Sequence, residues 1–190
     1  MAAGKKTARR RRAWLLFQDE SGLSERPPFR STWAPKGRTP IVIHPFRWNK
    51  VSVAAVLAYR WDGRRCQLFF QTKENSYNAK TLVAFLRDLR RHFPRRRGIL
   101  LWDRLQAHRS AAMNAYLKTQ RCWLTVEYLP AYAPDLNPVE TLWGNVKGQE
   151  LANRSVEDMT EVVDDLRSGM RRARRRDLPF SFLAHAGLSL

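Results

Sequence analysis

Apolar residues fall in two rhythms along the chain, and the change between them predicts the elements. The first half carries short continuous runs. Trp14-Leu15-Leu16-Phe17 ends at Gln18-Asp19-Glu20-Ser21-Gly22, the pattern of a buried strand that stops at acidic and glycine residues. Residues 23–40 are rich in Pro, Ser, Arg and Gly and read as a loop, and 41–44 form a short run expected as a strand. Residues 50–59 (KVSVAAVLAY) and 65–72 (RCQLFFQT) are strand-like, with a turn at Trp61-Asp62-Gly63. The period then lengthens. Leu82, Val83, Phe85, Leu86, Leu89 and Phe93 have helical spacing over 78–93, and the segment 94–98 ends that helix. A strand over 98–103 (GILLWD), a helix over 110–119, a strand over 123–129 (WLTVEYL), a loop with three prolines over 130–138 and a helix over 139–151 follow. A last helix is predicted over 156–176, with Ser155 and Asp158 in capping-box spacing and Met159, Val162, Val163, Leu166, Met170 and Ala173 as its apolar stripe. An antiparallel opening followed by alternating strands and helices predicts an α/β fold with a mixed sheet, in one domain over 13–177. Residues 1–12 read as a flexible basic arm and 178–190 as a C-terminal tail.

Composition narrows the class. The chain has 190 residues, of which 44% are apolar, with seven Trp and nine Phe, enough to fill a core and to exclude disorder as the main state. No apolar stretch approaches the roughly 20 residues of a membrane span, the basic start lacks a secretory apolar run, and two cysteines without metal spacing suit a reducing compartment. A soluble, cytoplasmic protein is expected. Charge changes the picture most. Lys plus Arg number 35 against 17 acids, a net +18, which calls for a polyanion, and inside cells that is mostly nucleic acid. Most of the cations are arginines, whose fork suits phosphate, although the codon usage of a GC-rich genome gives the same bias.

Three carboxylates are the candidate chemistry. Asp19 and Asp103 each follow an apolar strand, where open α/β sheets collect ligands, although Asp after a strand also serves as a turn residue or helix cap. Pro138 suits the first position of a helix, which puts Glu140 in its first turn, a placement that the helix dipole alone would also favour. Carboxylates from three distant segments would be hard oxygen ligands for Mg²⁺, and two such ions can activate an attacking oxygen and stabilise a leaving one at phosphorus.

These residues resemble a family. Tyr132-x-Pro134-Asp135-Leu136-Asn137-Pro138-x-Glu140 with Trp143 is similar to the third signature of the DDE transposases, in the superfamily of mariner elements and bacterial insertion sequences. Asp19-Glu20-Ser21 resembles the first acidic block, Trp33-Ala34-Pro35-Lys36-Gly37-x-Thr39-Pro40 the segment after it, and Asp103 with His108 the second block, though Arg104 and Leu105 stand where Asn and Ala are usual. The 36 residues between Asp103 and Glu140 match the bacterial branch, and the likeness covers about residues 13–155. It implies a ribonuclease-H-like fold, a mixed five-stranded sheet flanked by helices, with Asp19, Asp103 and Glu140 as catalytic ligands of two Mg²⁺ ions that Mn²⁺ can replace. The implied activity is cut-and-paste transposition on double-stranded DNA at transposon ends and target: water attacks the element end, then the freed 3′-hydroxyl attacks target DNA. A homodimer on DNA at the bacterial nucleoid is implied too, with the helix-turn-helix recognition region expected on a separate polypeptide, since the first strand begins so soon.

Other readings stay open beside it: a catalytically silent basic DNA-binding remnant, or a ribonuclease-H-like nuclease or resolvase. Lys36, Arg38, His108, Arg109 and Lys147 are the expected DNA contacts, with His108 alternatively orienting a metal ligand or capping a helix. Glu20, Glu25, Glu74, Glu127 and Asp135 are rival carboxylates, and Trp102 and Trp143 read as core. Arginine clusters at 87–97 and 167–176 are candidate phosphate-tracking faces.

Overall fold

In β1 (Trp14–Ser24) the side chains alternate between two apolar layers, as a strand buried on both faces requires. Leu15 and Phe17 enter one layer, and Trp14 and Leu16 enter the other. The computed structural model describes residues 2–26, 28–43, 49–131, 133–175 and 177–190. Its sheet contains β1, β2 (Lys50–Tyr59), β3 (Cys66–Lys73), β4 (Gly98–Trp102) and β5 (Leu124–Tyr128). Their order is β3-β2-β1-β4-β5; the β1–β2 and β2–β3 pairs are antiparallel, and the β1–β4 and β4–β5 pairs parallel. This is the mixed five-stranded sheet the sequence implied. Helices α2 (Ala79–His92) and α3 (Ala111–Thr119) cover one face. On the other face lie α4 (Pro138–Val146), α5 (Met159–Ala173) and α6 (Leu178–His185). Among the described residues no helix is long and apolar enough to cross a membrane.

Several expectations change. The first strand does not stop at Gln18: β1 pairs with β4 only from Trp14 to Phe17 but continues against β2 as far as Ser24. Its acidic residues therefore lie inside a strand, just past the point where β4 stops pairing with it. Residues 41–43 form no strand; Ile41 and Ile43 are exposed, and His44 lies outside the described residues, as do Tyr132 and Arg176. The supposed flexible arm is a helix, α1 (Ala2–Arg11), in which eight of ten residues are Ala, Lys or Arg, which favour helix. Arg12 ends it at φ 50°, with the Ala13 N–H donating to Ala8 O and the Arg12 N–H to Arg9 O, and Ala8 is buried in the core. The supposed tail carries α6, whose Pro179, Phe182 and Leu183 are buried and whose Pro179 carbonyl accepts from the Tyr59 hydroxyl at 2.6 Å. The last long helix starts at Met159, because Asp158 caps it by accepting from the N–H groups of Thr160 and Glu161, while the Ser155 hydroxyl donates to Ile43 O. The single helix expected over 139–151 becomes α4 followed by a π-helical turn, Lys147–Leu151.

Candidate active site

The alternation of β1 sends Asp19 and Glu20 to opposite faces of the sheet. Asp19 continues the row of Leu15 and Phe17 toward α4, and Glu20 continues that of Leu16 and Gln18 toward the turn Gln106–Arg109. Extending the parallel register of β1 and β4 past Phe17–Leu101 brings Asp103 level with Asp19. Glu140 arrives from the helix side. Asn137 caps α4 by accepting from the Val139 N–H, and its amide donates to Gln18 O at 3.4 Å, so the start of α4 is tied to β1 beside Asp19. Pro138 occupies the first helical position and Glu140 lies in the first turn, as the sequence predicted.

Asp19, Asp103 and Glu140 line one cleft of about 480 Å³, together with Arg104, Leu105, Arg109, Asn137 and the loop at Leu129–Ala131 and Ala133–Pro134. The cleft sits beyond the carboxyl ends of the parallel strands, where β1 separates from β4. Burial, then the charge of Glu140, raises the Asp19 carboxyl to about 7, although the Trp143 indole N–H donates to its Oδ2 at 2.9 Å. Burial also opposes ionisation of Asp103, but His108 and the Leu105 N–H outweigh it and hold Asp103 below the usual carboxylate value. His108 itself is fully buried. Its Nδ1 lies 2.5 Å from Asp103 Oδ1 and its Nε2 3.2 Å from Glu20 Oε1, while its ring stacks on Trp102 at 3.8 Å. Burial works against the imidazolium, yet the two carboxylates raise it to about 9. Lys147, half-buried, is lowered by that burial, with Glu140 and Asp19 acting against the shift.

Among the described residues no three His, Cys, Asp or Glu side chains converge into a metal-holding group. The donor set nevertheless suits a hard divalent cation: three carboxylates on one cleft, two of them close enough for mutual repulsion to raise Asp19.

The other expected residues divide. Arg109 lines the cleft, and Lys147 lies near its acids. His108, expected at DNA phosphates, is corrected to an inward residue whose ring nitrogens face Asp103 and Glu20. Lys36 and Arg38 stand on an exposed turn and are not among the described residues lining the cleft. Glu25 is buried and accepts from the Asn49 amide, so this rival acid is structural. Sequence reasoning missed Arg104 as a cleft cation and took Trp143 as core alone. Trp143 is buried, but a buried indole N–H needs an acceptor, and that was the available signal. Strand alternation likewise separates Glu20 from Asp19.

Comparison with known proteins identifies the family. A family described as DDE superfamily endonuclease matches residues 14–163. The insertion element IS630 uncharacterized 39 kDa protein of Shigella sonnei is 23% identical over 157 residues, 82% of this chain and 44% of that protein. The Mos1 transposase paired-end complex with left transposon end superposes with a TM-score of 0.63 at 19% identity, covering 98% of this chain and 59% of the other. The Mos1 mariner paired-end complex with Mn gives 0.59 at 17%, again covering 98% and 59%. At these identities the structural likeness is one of fold, the ribonuclease-H-like fold, and the chain spans about half the length of the relatives it matches. With three carboxylates on one cleft and the family matched across most of its length, the chain belongs to the DDE superfamily endonucleases.

Proposed function

We propose that the chain is the catalytic part of a transposase, performing metal-dependent phosphoryl transfer on double-stranded DNA. The observation that carries this reading is the meeting of Asp19, Asp103 and Glu140, from β1, the end of β4 and the first turn of α4, on one cleft with Arg104 and Arg109. Asp19, Asp103 and Glu140 would hold two Mg²⁺ ions, with Mn²⁺ as substitute, as the name of a solved mariner complex with Mn suggests. Bound there, the ions would activate the attacking oxygen and neutralise charge developing on the leaving one. The chain's own residues do the rest. Trp143 fixes one Asp19 oxygen, and Glu20 with His108 fixes Asp103. Arg104, Arg109 and Lys147 are the cations nearest a phosphate in the cleft. In cleavage, water attacks phosphorus and the 3′-oxygen leaves with a proton. In strand transfer, that 3′-hydroxyl attacks a target phosphodiester and displaces its 3′-oxygen.

By the same reading, transposon ends and target are the DNA, two copies of the chain act on it at the nucleoid in the bacterial cytoplasm, and end recognition falls to a helix-turn-helix region. Nicking of supercoiled plasmid with Mg²⁺ or Mn²⁺ tests the catalytic claim. Wild-type chain is expected to nick, and Asp103→Asn to lose activity by orders of magnitude while still binding DNA. Equal activity of the two would sink the claim and favour a DNA-binding remnant.

A further inference from the structure

Glu140 has a second side. Behind it, along the exposed flank of α4 and the π turn, runs a groove of about 570 Å³ whose lining includes Arg30, Asp135, Asn145, Gln149 and His185, with Glu140 as the wall it shares with the catalytic cleft. Arg30 is held there by two features far apart in sequence. Asn153, at φ 56°, clips the strap before it: its Nδ2 donates to Arg30 O at 2.7 Å, its Oδ1 accepts from the Arg30 N–H at 2.9 Å, and its N–H donates to Pro28 O at 3.0 Å. The guanidinium then rests on Gly148, in the seat a side chain there would fill: a Cβ at 148 would fall 2.6 Å from Nη1 and closer still to Cζ. Among the described residues no acceptor or carboxylate pairs with this guanidinium, although it is clipped and seated.

The neighbouring amide is oriented too. Arg172 binds Glu150 through two contacts, at 2.6 and 2.8 Å, and donates from Nη2 to Asn145 Oδ1 at 2.7 Å, which leaves the Asn145 NH₂ as a donor. A guanidinium seated on Gly148 and an oriented amide suit a phosphate oxygen. Asp135, with Glu140, disfavours a free multivalent anion and is tolerated by a phosphodiester, which carries one charge per nucleotide. The groove is open and adjoins the catalytic cleft at Glu140, as an extended strand requires.

We propose that this groove holds a DNA strand next to the reacting phosphate, with Arg30 as the ligand of a neighbouring phosphodiester. The inference deepens the function proposed above and rests on it for the identity of the strand. The test is binding of a short fluorescein-labelled duplex in EDTA, followed by anisotropy over a salt series. Arg30→Gln is expected to weaken binding roughly tenfold and to lower the salt slope by about 0.9. Arg64→Gln, which removes the same charge from the β2–β3 turn, is expected to change binding far less. Gly148→Ala keeps the net charge but fills the seat, displacing the guanidinium, and should weaken binding part of the way toward Arg30→Gln. Asn153→Ala, which frees the strap without filling the seat, should fall between wild type and Arg30→Gln and serves if Gly148→Ala melts early. Wild-type binding by both Gly148→Ala and Asn153→Ala, or equal losses in the Arg30 and Arg64 variants, would overturn the proposal. Binding in EDTA is independent of chemistry. Loss of binding in the seat variants without plasmid nicking by the wild type would therefore topple the catalytic reading and leave the groove standing. Asp103-dependent nicking with unaffected binding would do the reverse.

Discussion

His108 is an imidazole held between two acids inside the protein, and its ionisation couples to stability with a definite sign. Its folded value, about 9, lies above its ordinary 6.5, so the stabilisation is complete below pH 6.5 and is lost as pH rises through about 9. Thermal melts of the wild-type chain should fall across that window, and His108→Gln should flatten the slope; an unchanged slope in the variant would show that the ring does not hold the proton. Asp19 also favours low pH. Its carboxyl is raised from 3.8 to about 7, so the folded state loses stability as pH climbs between those values. Asp19→Asn, which keeps the shape and removes the charge, is expected to melt a few degrees higher than wild type at pH 8 while losing any nicking activity. A stabilised but inactive protein is what a site built around repelling carboxylates should give.

At the scale of elements, close packing of the sheet and its helices sets the tolerances. Gly98 opens β4 where a Cβ would come 2.5 Å from Leu16 Cδ1 and 3.4 Å from Leu124 Cδ1. Gly98→Ala should destabilise by roughly 1–3 kcal/mol, read as a lower urea midpoint at unchanged m-value. Helix α6 is the second case. Phe182 is buried against the layer beneath α4, and Phe182→Ala should cost roughly 3–5 kcal/mol if α6 is part of the core, whereas a loose tail would register almost nothing. The arginine clusters also look different once folded. Arg90 lies over Trp123 and Arg96 over Trp14, each 4.9 Å from the ring, and Arg172 is engaged by Glu150. Part of each cluster thus covers aromatic rings or pairs with acids, and only the remainder is available to phosphate.

For the whole molecule the net +18 and the shared wall at Glu140 are the relevant facts. DNA binding should weaken steeply with salt, as counterion release demands. Divalent cations should act separately. Mg²⁺ or Mn²⁺ is expected to raise the melting temperature of the wild-type chain, by about 2.7 kcal/mol of linkage at a hundredfold excess over Kd, and Glu140→Gln should abolish most of that rise. A rise that persists in Glu140→Gln would place the cation elsewhere.

Most of the elements and the three candidate acids were legible in the sequence by itself. Apolar runs and helical spacing located the five strands and most helices, because burial on one or both faces imposes a period on the chain. The strand-ending Asp103 and the Asn137-Pro138 helix start leading to Glu140 were legible for the same local reasons. Tertiary structure decided what no local pattern encodes. The burial of Ala8 from α1 and of α6 depends on apolar partners distant in sequence, such as Tyr59, whose hydroxyl reaches Pro179. The roles of Glu20, His108 and Trp143 depend on which face of the sheet each side chain enters, and on which neighbour it meets there. Arg30 shows the difference most plainly: it is one cation among 35 in the sequence, and the fold brings Asn153 to its backbone and Gly148 under its guanidinium, in a groove that Glu140 also lines.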